Sequence, residues 1–259
     1  MPKDSTGTGD PSRTLALLWG RPVASAGRKG PARSITVGQV VDAALLLADD
    51  RGMPAVTMRA VAERLGVSAM SVYTYVPGKP ELLDLMVDAC YARMDRTPSA
   101  GEPWRRRLSA VAEDNRALLT AHPWLTEVAA LSRPPLGPGL MGKYEHELSA
   151  FDDTGLSDVD RDAALTYLLA FVTSHCRAVH DAARVTTDTA MTDAAWWAAN
   201  QPVLATALDP ASYPRAVRIG AAAGEELGGT WAADRAWGFG LSRTLDGLAV
   251  LIGDLPDPA

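Results

Sequence analysis

The stretch Val56-Thr-Met-Arg-Ala-Val-Ala-Glu-Arg-Leu-Gly-Val-Ser-Ala-Met-Ser-Val-Tyr-Thr-Tyr-Val-Pro-Gly-Lys79 decides the fold. Thr57 is a good N-cap, and Met58, Val61, Ala62 and Leu65 recur at the spacing of one buried helical face. Gly66 breaks this helix, Ser68 caps a second short one with Val72, Tyr75 and Val76 inward, and Pro77-Gly78 ends it. Two short helices that cross steeply need a tight turn, often glycine, and small or apolar residues in the angle. Gly66, Ala62, Val67 and Val72 meet those needs. In such a pair the first helix crosses the backbone of duplex DNA and the second lies in the major groove.

The spacing leaves Ala69, Met70, Ser71, Tyr73 and Thr74 on the outward face of the second helix. These are short, hydroxyl-bearing or apolar side chains, suited to base edges and the thymine methyl group. Tyr73 and Tyr75 can donate to phosphate oxygens, although Tyr75 also fits the core; Arg59, Lys79 and the helix N-terminus add positive potential. The alternative is a plain three-helix core that never meets DNA.

Charge separates along the chain. Residues 1–80 hold ten Lys and Arg against six Asp and Glu, whereas residues 81–259 hold fifteen against twenty-five. A basic head on an acidic body fits a chain whose head alone approaches phosphates. Residues 1–34, rich in Gly, Pro, Ser and Thr, read as a flexible basic arm. Within it Arg28, Lys29 and Arg33 are placed either to enter a minor groove or to remain solvated.

Helical periodicity begins after Ile35, with Val37, Val40, Val41, Ala44, Leu45 and Ala48 on one stripe. A helix opened by Pro80 runs to about 96 and connects the head (35–80) to the remainder (81–259). Beyond a linker at Thr97–Pro103, the pattern predicts helices near 104–121, 124–132, 140–154, 157–183, 193–200, 213–223 and 231–253. The chain is therefore expected to be all-α: a three-helix DNA-binding domain joined to a helical bundle. Leu241, Leu245, Leu248 and Ile252 form a stripe suited to a partner helix in a homodimer, or to packing within the subunit.

Several function classes find no support. Nothing approaches the length of a membrane span or resembles an export signal, and Cys90 and Cys176 read as reduced core thiols, so the expected location is the cytoplasm. His175 and His180 are five residues apart, on different sides of a helix, and read with Cys176 and Asp181 as ordinary bundle residues; no metal or cofactor is expected. The acidic run from Asp152 to Asp162 lacks the glycine and spacing of a calcium loop and reads as a helix start after Ser157. Trp196-Trp197 reads as a cover for the bundle end or as a pocket wall. No nucleophile elbow or phosphate loop appears, so no enzyme is expected.

Residues 35–94, with the "SVYTYVPGKPELL" ending, resemble the DNA-binding domain of the tetracycline-repressor (TetR) family. "HPWLTEVAALSRP" at 122–134 and "WGFGLSRTLDGLAVLIG" at 237–253 resemble that family's drug-binding, dimerising body. The resemblance implies a repressor that binds a palindromic operator as a homodimer and is released by a small molecule. It implies DNA contacts from Arg59, Ala69, Met70, Tyr73, Thr74, Tyr75 and Lys79, and a pocket lined by Asn115, Ser132, Arg133, Pro134 and Glu147. Ala129 stands where tetracycline-binding members carry a magnesium-ligating histidine, so the implied effector, an antibiotic or metabolite, is not a magnesium–tetracycline complex. The competing reading is a small-molecule-binding helical module without a DNA function.

Overall fold

The computed structural model describes residues 4–20, 35–130 and 132–253, and its regular elements are all helical. The head comprises α2 (Val37–Arg51), α3 (Met58–Leu65) and α4 (Ala69–Tyr75), and it leads into α5 (Lys79–Arg93). Each start has a local cause. Thr36 forms a capping box with Gln39, the Thr57 hydroxyl accepts from Ala60 N, and the Ser68 hydroxyl accepts from Ser71 N. Gly66 ends α3 in the left-handed region at φ 67°, which turns the chain sharply into α4. Val40, Val56, Val61, Val72, Val76, Leu82 and Met86 are all fully buried in one core beneath these helices.

The body contains α6 (Trp104–Ala121), α7 (Leu125–Val128), α8 (Pro138–Ser149), α9 (Asp158–Thr189), α10 (Asp193–Ala207), α11 (Pro214–Leu227) and α12 (Ala233–Ile252). Its core joins Leu108 and Val111 of α6, Phe151 in the turn after α8, Leu168 and Val172 of α9, and Leu245 and Leu248 of α12. Head and body are not separately cored. Leu118, Trp124, Leu125 and Val128 belong to the same cluster as the head. Trp124 Nε1 donates to Asp49 Oδ1 at 2.7 Å, and His122 Nδ1 lies 2.8 Å from that oxygen, which fastens the end of α2 to the end of α6.

Some elements depart from expectation. The expected flexible arm is corrected over residues 4–20. Asp10 caps a further helix, α1 (Pro11–Leu18), whose Leu18 enters the head core. Arg28, Lys29 and Arg33 lie outside the described residues. Helix α8 starts at Pro138, earlier than expected, because the Asp88 carboxylate accepts from Gly139 N at 3.1 Å and Leu140 N at 2.8 Å. That is a cap supplied from a distant helix. A side chain at Gly139 would overlap the Asp88 carbonyl, so glycine permits the close crossing of α5 and α8. Helix α10 runs through Pro202 to Ala207, and neither α10 nor α11 buries a residue, so Trp196-Trp197 covers no core of this subunit.

His175 is buried among Phe171, Trp231 and Trp237, and its Nε2 has no hydrogen-bond partner among the described residues. Burial, reinforced by Arg116, lowers its pKa from the ordinary 6.5. A histidine held neutral in the fold stabilises fully above its unfolded pKa, and that contribution is lost as pH falls toward the lowered folded value. Stability measured by urea unfolding is expected to drop below about pH 6.5. The non-titrating aromatic variant His175→Phe is expected to flatten that part of the profile, and an unchanged profile refutes the assignment.

Candidate nucleic-acid interface and ligand cavity

On α4, Met70 is 74% and Tyr73 44% exposed, large side chains left open on the surface of the head. Thr74 lies beside them, with its hydroxyl donating to Met70 O at 3.0 Å, which leaves its methyl group and lone pairs outward. The Ser71 and Ser68 hydroxyls are 2.9 Å apart at the helix start. Arg59, on the exposed side of α3, pairs with Glu63 at 2.9 Å. A head with Met70, Tyr73 and Thr74 foremost and arginine on the preceding helix presents a narrow ridge to a groove rather than a concave pocket. Two expected members sit differently: Ala69 and Tyr75 pack partly against the core because they share the inward side with Val72 and Val76. Lys79, the first residue of α5, is held by Asp4 at 2.6 Å.

The cavity lies in the body between α5, α6, α8 and α9, with a volume of about 340 Å³. Leu118, Leu119, Leu125, Leu165, Leu169 and Val172 make most of its wall, and Ala129, Ala130, Pro134, Pro135 and Leu136 form a segment across it. Polar groups are few and clustered. Lys143 Nζ lies 2.7 Å from the Glu147 carboxylate and 5.3 Å from the Tyr91 ring centroid, and both members of the ion pair are almost fully buried. Asn115 Nδ2 donates to Glu147 Oε1 at 2.5 Å and to Val111 O at 2.8 Å. With its amide hydrogens engaged, Asn115 offers its carbonyl oxygen to a ligand, and Lys143 offers N–H donors. On the other side the Tyr144 hydroxyl donates to Asp162 at 2.7 Å.

Of the residues implied for this pocket, Asn115 and Pro134 line the cavity. Glu147 lies behind Lys143 and acts through it. Ser132 and Arg133 are exposed and do not line the cavity, a correction whose cause is that their segment faces outward against the N-terminal residues. Sequence reasoning missed Lys143, Tyr91 and Tyr144. Their signal was available only weakly, as Lys143 and Glu147 one helical turn apart in a polar stretch that reads as a solvated helix face. Ala129 does line the cavity, and no group of three or more His, Cys, Asp or Glu among the described residues is arranged to hold a metal ion. Both cysteines are buried and free; burial pushes the Cys90 thiol up to about 12, a packing role and not a reactive one.

The expected dimer stripe is also corrected. Leu245 and Leu248 are buried in the subunit's own core, Leu241 packs partly against it and Ile252 is half-buried at the helix end. The open side of α12 carries Phe239, 66% exposed, and Val250, 62% exposed, while Tyr167 is exposed on α9. No helix among the described residues is long and apolar enough to cross a membrane.

Residues 40–86 match the family described as bacterial regulatory proteins, tetR family, and residues 97–252 match the tetracyclin repressor-like C-terminal domain. The HTH-type transcriptional repressor DrrR1 of Streptomyces coeruleorubidus is 38% identical over 254 residues, covering 96% of this chain and 89% of that protein. The Escherichia coli tetracycline repressor protein class C is 32% identical over 51% of this chain and 60% of its own length. Among solved structures, apo ActR from Streptomyces coelicolor superposes with a TM-score of 0.70 at 25% identity, over 86% of this chain and 99% of that one. ActR in complex with actinorhodin gives 0.67 at 25% identity, over 85% and 98%. The chain belongs to the tetR family of bacterial regulatory proteins and is a DNA-binding transcriptional repressor with a tetracyclin repressor-like body.

Proposed function

We propose that the protein binds a palindromic operator as a homodimer in the cytoplasm and is released when a small molecule fills the cavity. The observation that carries the DNA reading is the outward ridge of Met70, Tyr73 and Thr74 on a helix seated by Gly66 and Ser68. Met70 and the Thr74 methyl suit thymine methyl groups, Tyr73 and Ser71 suit base edges or phosphates, and Arg59 and Lys79 suit the backbone on either side.

Helix α5 is the lever. Leu82, Leu83, Met86 and Val87 form the floor of the head, while Tyr91 forms part of the cavity wall. A ligand that fits only when α5 is tilted stabilises the tilted state by its differential affinity, and the two heads lose their spacing of about 34–36 Å. The cavity's apolar walls, its cluster of Asn115, Lys143 and Tyr91, and the Tyr144–Asp162 pair opposite suit a largely apolar body carrying a few polar oxygens. ActR, a relative of similar fold, has been solved with actinorhodin; we infer an effector of comparable kind.

The test uses a duplex selected by the protein from a random-sequence pool. Tyr73→Ala is expected to weaken binding by about 1–3 kcal/mol per dimer, with the fold unchanged by circular dichroism. Parental affinity in that variant defeats the placement of α4.

A further inference from the structure

The segment that reads as an arm is fastened to two places at once. At its start, Asp4 Oδ2 lies 2.6 Å from Lys79 Nζ. Further along, Gly7 N donates to Asp84 Oδ1 at 2.9 Å and Asp10 N donates to Glu81 Oε1 at 3.1 Å. Glu81 and Asp84 are nearly fully buried, so these backbone amides satisfy carboxylates that would otherwise lie unpartnered on α5. Thr6 is fully buried; its amide donates to Val128 O at 3.0 Å, and its hydroxyl accepts from Ala130 N at 3.0 Å. Trp19 Nε1 donates to Leu136 O at 2.9 Å. A side chain at Gly7, where φ is +69°, would meet Arg133 Cβ at 2.6 Å, so the segment lies directly against the chain at Val128–Ala130 and at residues 132–136. That chain crosses the cavity.

From this we propose that residues 4–20 form a strap that competes with operator DNA for Lys79 while it holds the cavity's covering segment in place. The inference rests on the reading of Lys79 as a phosphate contact and adds a means of regulating it. Asp4 supplies at Lys79 the anionic oxygen that a phosphate supplies in the DNA complex, so one ammonium serves one partner at a time. Because the strap grips the backbone of Val128, Ala130 and Leu136 through the Thr6 amide, the Thr6 hydroxyl and the Trp19 indole, loss of the Asp4 contact loosens the covering segment. By reciprocity, a ligand that requires the covering segment closed favours the docked strap and disfavours DNA. This route from cavity to DNA runs beside α5 and does not require α5 to bend.

The test is a double-variant cycle on the full-length dimer with its selected duplex. Asp4 is solvent-accessible, so Asp4→Asn leaves folding intact. Asp4→Asn is expected to raise operator affinity about two- to fivefold per protomer at low salt. The slope of log affinity against log salt is expected to steepen by about 0.9 per protomer, because Lys79 then displaces a phosphate counterion without giving up a carboxylate. In the Lys79→Met background, Asp4→Asn is expected to have no effect. If Asp4→Asn binds like the parent while Lys79→Met weakens binding, the strap's competition is refuted and Lys79 stands as a phosphate contact. If Lys79→Met changes nothing even beside Asp4→Asn, the underlying reading of Lys79 fails and the proposal falls with it. Hydrogen exchange supplies the second arm: the amides of Thr6, Gly7 and Ala130 are expected to exchange faster in the operator complex, and unchanged protection refutes the coupling to the covering segment.

Discussion

Lys143→Met is expected to destabilise the protein by about 3–5 kcal/mol, since it strands the Glu147 carboxylate without its cation. Both side chains are almost entirely out of solvent, and the ion pair is closed at 2.7 Å, with Asn115 bonded to the same carboxylate. Removing one member leaves a buried charge that a single amide donor does not compensate. The paired variant Lys143→Met/Glu147→Leu is expected to recover most of that loss, because well-packed apolar groups of similar volume replace a buried pair at little cost. Urea unfolding of the two variants checks this. Near-parental stability in Lys143→Met shows that Glu147 finds another partner or becomes protonated, and that the cluster is not the rigid polar anchor of the cavity described above.

The second large effect concerns the two sides of α12. Phe239→Asp is expected to convert the dimer to a folded monomer and to reduce operator affinity by about 10²–10⁴-fold, because the second head no longer binds as part of one molecule. Leu245→Asp, on the buried side, is expected to unfold the subunit, since it places an unpaired charge in the core with Leu108 and Phe151. Light scattering and circular dichroism separate the outcomes. A Phe239→Asp protein that stays dimeric at micromolar concentration excludes this face of α12 as the contact.

These two variants also show where sequence reading stops. The head was legible nearly throughout, because caps, a breaking glycine and a period of 3.6 are local signals and Thr57, Gly66 and Ser68 carry them unmistakably. Helix α12 was legible as a helix but not in its facing. It has apolar residues on both sides, and periodicity cannot say that Leu245 and Leu248 meet their own α6 and α9 while Phe239 and Val250 meet solvent. The strap was hidden for another reason. Asp10 followed by Pro11 is a sound helix start, yet eight residues cannot hold a helix alone, and the partners that hold it, Glu81 and Asp84, look in sequence like solvated acids. Asp88 is similar: its use as the cap of α8 depends on a crossing that no short-range pattern encodes. Burial raises the pKa values of Asp84 and Asp88, a mark of carboxylates drawn into the protein to bind backbone amides. The cavity was half-legible. Asn115 and Pro134 followed from the family resemblance, whereas Lys143 and Tyr91 came together only through the packing of α5 against α8.

The placement of α4 in the major groove is tested most directly by methylation interference on the selected duplex. If the ridge of Met70, Tyr73 and Thr74 reads base edges, methylation of guanine N7, which faces the major groove, blocks binding at two clusters centred about one helical turn apart. Interference confined to adenine N3 in the minor groove, or absent from both grooves, contradicts the account.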